Sequence, residues 1–201
     1  KRRMTMDKVN NASLDLEIAR QCAPVLADVK SSNLLILGKP AKAPKEAFFR
    51  EAGISTYLLY QGSQKAIWLV YRREELEDIL FAEESQAFLK EWGYEGMDME
   101  QMLMRLAVRF GAYRDATKDA ERIFPHEMGI FLGYPLGDVK GFIVHGGKNY
   151  LYSGYWKVYE NVEETRKKFQ LFAAVKQSLI QAVTDGMGIW GAVAQKVPQP
   201  V

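Results

Sequence analysis

The chain has 201 residues, 48% of them apolar and 12% aromatic, enough to bury a sizeable core and to exclude wholesale disorder. Its 27 Lys and Arg against 25 Asp and Glu leave a net charge of +2. Lys1, Arg2, Arg3 and Lys8 against Asp7 hold all of that surplus, so the rest of the chain sits at −1 and offers no phosphate-tracking surface to nucleic acid. One cysteine, Cys22, excludes an internal disulfide and any multi-cysteine zinc or iron–sulfur site.

No apolar run approaches the roughly 20 residues that cross a bilayer. Asp15, Glu17 and Arg20 follow the basic start, which is therefore no secretion signal, and the expectation is a cytoplasmic protein without a membrane partner. Residues 1–11 read as a flexible basic leader. Leu14, Ile18, Cys22, Val25 and Val29 recur at intervals of three and four and predict a helix over 13–29, kinked or divided near its middle by Pro24. Residues 34–38 are short and apolar enough for a buried strand, and 45–52 for a helix closed by Gly53. The clearest β signal follows. Residues 54–61 and 64–71, rich in Tyr, Leu, Ile, Val and Trp, flank Gly62-Ser63, which suits a two-residue II′ hairpin turn.

Helices are predicted over 73–81 and 84–92, the second stopped by Gly93, and over a longer stretch capped by Asp98 and stopped by Gly111. Residues 115–121 are polar loop. Pro125 opens a short helix through Leu132, and 136–144 form another, ended by His145-Gly146-Gly147. Residues 150–159 read as one extended aromatic strand, 162–183 as a long amphipathic helix, and 186–201 as a loosely ordered tail. Strict β-α-β alternation is missing. The pattern is a single α+β domain over 12–185 with a small, mostly antiparallel sheet of three or four strands.

No phosphate loop, dinucleotide fingerprint, zinc-protease helix or nucleophile elbow occurs, and nothing in the pattern names a cofactor. Cys22 is the only thiol nucleophile, though its apolar stripe also suits a small buried hydrophobe. His126-Glu127 pairs a group that titrates near neutrality with a carboxylate, but neighbours on a helix point about 100° apart, and an acidic helix start with an exposed histidine explains them equally well. Two histidines with scattered carboxylates give no metal-ligand spacing. A helix-turn-helix reading of 126–144 fails because Arg122, Lys140 and Lys148 are balanced by Glu121, Glu127 and Asp138. The stretch 150–159 could stack a planar ligand on Tyr155, Trp156 and Tyr159, with Lys157 meeting its anionic group, or could simply reflect aromatic β-propensity.

Cys22-Ala23-Pro24, the run Phe124-Pro125-His126-Glu127-Met128-Gly129-Ile130-Phe131-Leu132-Gly133-Tyr134-Pro135, and Gly154-Tyr155-Trp156-Lys157-Val158-Tyr159 together resemble the bacterial family catalogued as domain of unknown function 3793. Val70-Tyr71-Arg72 and Gly93-Tyr94 extend the likeness, which covers the chain from about Cys22 to Phe169. The resemblance implies a cytoplasmic protein of anaerobic bacteria and carries over no activity. It draws attention to Cys22, Lys30, Asn33, His126, Glu127 and Lys157. It also implies an acidic residue before Asp138, where this chain has Gly137.

Three functional readings follow. The first is a binding domain for a small ligand or a protein partner, without catalysis, that uses the His126 segment and the 150–159 strand, with Lys30 and Asn33 as further ligand contacts. The second is a thiol or acid–base enzyme with Cys22 as nucleophile, His126 as base, Glu127 as orienter or acid, and Lys157 as anion holder. The third is a homodimer formed through the apolar helices.

Overall fold

The computed structural model describes residues 2–38, 49–50, 52–117 and 122–196. Helix α1 (Arg2–Leu26) starts upstream of residue 13, inside the stretch expected as a leader. Pro24 therefore falls in its last turn instead of its middle, where the hydrogen bond it cannot donate is one of the helix's last, and Asp28 at φ 59° ends the helix with Val29 N–H on Pro24 O at 3.0 Å. Strands β1 (Ser32–Gly38), β2 (Ile54–Gln61) and β3 (Lys65–Arg72) form an antiparallel sheet in the order β1-β3-β2. The helix expected over 45–52 lies largely outside the described residues.

The hairpin is present, but its connection is three residues, 62–64, where two were expected. Gly62 does not take the positive φ that a II′ turn demands of its first residue. A bulge at Leu59, between the pairs Leu58 with Trp68 and Tyr60 with Ile67, breaks the alternation, so that Tyr57, Leu59 and Tyr60 all pack on one side.

Period-two alternation gives the sheet two apolar faces, and different helices cover each. Leu34, Ile67, Leu69 and Tyr71 face α2 (Arg73–Phe81), α3 (Glu83–Glu91), α4 (Met99–Asp115) and α5 (Met128–Phe131). Leu35, Leu37, Ile54 and Val70 face α1, α7 (Val162–Thr184) and α8 (Ile189–Lys196). The architecture is α+β. Asp98 caps α4 in a capping box with Gln101, while α4 runs past the stop expected at Gly111. Gly93 does end its helix because it is left-handed at φ 81°, a conformation that Gly111 does not adopt.

Two further stretches differ from expectation. Residues 150–159 are not one strand but a small hairpin of β4 (Tyr152–Ser153) and β5 (Lys157–Val158), turned at Gly154-Tyr155-Trp156 with Gly154 N–H on Trp156 O at 3.0 Å. The segment after Gly186, expected to be loose, carries α8, whose Ile189 and Ala192 are buried and whose Ile189 N–H donates to Asp15 Oδ2 at 3.1 Å. Residues 197–201 lie outside the described residues. Among the described residues, no helix is long and apolar enough to cross a membrane.

Candidate functional site

The segment between α4 and α6 (Leu136–Val144) is pinned from below by one buried carboxylate. Glu127 has no exposed surface; it accepts from Arg109 Nε at 2.5 Å and from the Tyr94 hydroxyl at 3.1 Å. These contacts draw Glu127 toward α4 and leave the preceding residue on the other side of the turn. His126 packs between the rings of Phe124 and Phe142, at 5.3 and 5.4 Å. The short helix α5 then meets α6 closely, since a Cβ on Gly129 would come within 2.7 Å of Val139.

A second carboxylate joins α6 to the aromatic hairpin. Asp138 accepts the Trp156 indole N–H at 2.7 Å and the backbone N–H groups of Tyr159 and Glu160 at 2.6 and 3.2 Å. Those donors fix the Trp156 ring, which stacks on Tyr134 at 4.8 Å and stands edge-on to Phe169 at 4.5 Å. The space at position 137 is taken by the Glu160 carboxylate, which a Cβ there would strike, so an acidic residue at 137 would displace Glu160.

Between these supports lies a cavity of about 430 Å³. Its floor includes Leu34, Leu132 and Val139, and its walls are the rings of Phe124, His126, Tyr134, Phe142, Tyr155 and Trp156. Lys157 borders it too, its ammonium donating to Gly147 O at 2.5 Å and lying 4.9 Å from the centre of the Tyr150 ring. Burial holds His126 below the usual histidine range, against the opposing pull of the Glu127 charge, so its imidazole is neutral at pH 7. No group of three or more potential metal ligands occurs among the described residues.

Four of the sequence-derived candidates thus converge: His126, Tyr155, Trp156 and Lys157. The others do not. Cys22 is fully buried between α1 and β1, its Sγ 3.9 Å from Leu34 O, and burial pushes its thiol up. A sealed, protonated thiol is a poor nucleophile, which argues against the role expected of it. Glu127 bonds Arg109 and Tyr94 instead of orienting His126. Lys30 ties the start of β1 to the end of α5 by donating to Ser32 O and, at 2.6 Å, to Leu132 O, and burial brings its ammonium down to about 7. Asn33 and Tyr159 also lie off the cavity, with Asn33 Oδ1 and the Tyr159 hydroxyl buried and without a hydrogen-bond partner among the described residues, and Tyr159 stacked on His145 at 5.5 Å.

Sequence reasoning missed Asp138, Phe142 and Tyr134 as parts of the site. Tyr134 stood inside a recognised motif, whereas Asp138 and Phe142 carried only the ordinary signals of a short helix, an acidic residue in its first turn and an aromatic one in its last. The family model for the proteins of unknown function DUF3793 matches residues 18–190, which takes in every residue that lines the cavity. The chain belongs to this family. No curated protein and no solved structure matches it. In this DUF3793 chain, two of the three motif segments noted in the sequence, around His126 and around Trp156, meet at the cavity, while Cys22 and Ala23 are buried away from it.

Proposed function

We propose that this DUF3793 protein is a binding domain whose cavity takes a small, ring-bearing molecule. The observation that carries the reading is the convergence of His126, Tyr155, Trp156 and Lys157, from segments some thirty positions apart, on one aromatic-walled space of about 430 Å³. Pockets of this size and lining, mostly apolar with few polar groups, suit small organic ligands. His126 offers an imidazole with no hydrogen-bond partner among the described residues, and Lys157 an ammonium held by a neutral carbonyl and the faces of Tyr150 and Phe142, with no carboxylate partner among those residues. Both can orient a ligand whose body is held by the rings.

The buried thiol of Cys22 favours this reading over thiol catalysis. A thermal-shift panel of flavins, haem and nucleotides tests it. A ligand at a hundred times its dissociation constant stabilises by about 2.7 kcal/mol, a readily measured rise in Tm. The rise is expected for at least one ligand class and is expected to shrink in Tyr155→Ala and His126→Ala, whose side chains line the cavity. No shift with any class would overturn the reading.

A further inference from the structure

Resting on that reading, we infer that the cavity continues over the Gly154-Tyr155 turn into an anion subsite at Arg166, so that the ligand is mononucleotide-like: an aromatic ring with a phosphate on a short arm. A second, more open cleft of about 630 Å³ lies across this turn, with Tyr152, Arg166, Phe169 and Gln170 among its walls. Gly154 and Tyr155 border both spaces. Gly154 lies against one edge of the Phe169 ring, which a Cβ would strike, and the partly exposed Tyr155 side chain packs on Phe169 and Phe172, each at 5.3 Å between ring centres.

The charges around the turn select the ligand group. Arg166 lies over the Tyr152 ring at 4.6 Å, a stacking that orients the guanidinium and leaves its N–H edge free, and it makes no ion pair among the described residues. Gln170, one turn along α7 on the same face, adds an amide donor. Lys157, on the other side of the turn, likewise has no carboxylate partner. Among the described residues, Asp138 is the one carboxylate bordering either space, and three N–H donors already compensate it. An Arg166 guanidinium without a carboxylate partner among the described residues, beside the Gln170 amide and across the turn from a ring-lined cavity, suits the double charge and three acceptor oxygens of a phosphate monoester.

The test compares flavin mononucleotide with riboflavin, and adenosine monophosphate with adenosine, by calorimetric titration of the intact protein. Each pair differs by one phosphate. In at least one pair the phosphorylated member is expected to bind about tenfold more tightly, the scale of a charge-assisted hydrogen bond. Arg166→Gln should bring it down to the level of its unphosphorylated partner without changing that partner, and Arg166→Lys should keep part of the advantage. Equal binding within both pairs, or an advantage that survives Arg166→Gln, overturns the subsite and leaves the ring cavity standing. So does the failure of all four compounds when another member of the thermal-shift panel binds. A panel with no shift at all overturns both.

Discussion

Replacing Glu127 by methionine should destabilise the protein by about 3 kcal/mol, near the lower end of what breaking a buried ion pair costs. The lower end applies because only one partner is sealed: Glu127 has no exposed side-chain surface, whereas Arg109 keeps 29% of its own and can turn toward water. The Tyr94 hydroxyl also loses its acceptor, adding about 1 kcal/mol. For a chain of this length, a loss of 3 to 4 kcal/mol lowers Tm by about 10 °C. Urea denaturation of the wild type, Glu127→Met, Arg109→Met and the double variant measures it. Removing both charges leaves no uncompensated ion, so the double variant should regain most of the stability that Glu127→Met loses. A cost below about 1 kcal/mol for Glu127→Met, or a double variant no more stable than that single one, would refute the view that this pair anchors the His126 segment.

Three further outcomes follow. Burial lowers Lys30 to about 7 from an unfolded value of about 10.4, so between those values the unfolded chain binds more protons and stability rises with pH. The stability difference between wild type and Lys30→Met, measured by denaturant titration, should therefore shift in favour of wild type from pH 7 to pH 9.5, and a flat difference would contradict the assignment. Cys22 should resist iodoacetamide in the folded protein up to high pH and react on addition of urea, read by mass spectrometry; rapid labelling of the folded protein would reverse the conclusion drawn about it. Trp156→Phe removes the indole N–H and leaves Asp138 Oδ2 unpaired, at a cost of about 1–3 kcal/mol in urea denaturation, whereas a neutral result would mean that Asp138 does not join α6 to the hairpin.

Local signals carried much of the architecture. The β-rich run between Ile54 and Arg72 and the apolar spacing of α4 and α7 were legible because each rests on a period set by its own backbone. The sequence misled where tertiary contacts overrode local preference. Residues 150–159 look like one strand because aromatic residues favour extended chain, yet the indole of Trp156 is held by Asp138 and Gly154 lies against Phe169, which folds the stretch on itself. Only part of the candidate site was legible, for a related reason. His126, Trp156 and Lys157 stood out as unusual residue types in compact motifs, but nothing local separates a histidine that lines a cavity from one stacked on a tyrosine, as His145 is on Tyr159. Cys22 shows the converse: its apolar stripe reported its burial correctly, and its rarity suggested a use that burial denies.

The chain's two histidines offer the most direct measurement of the central claim. His126 lines the cavity, and His145 does not. Imidazole C–H resonances followed during titration with any compound that raises Tm should show His126 moving while His145 stays in place. Stationary His126 signals under saturating ligand, or movement confined to His145, would contradict the assignment of the cavity as the binding site.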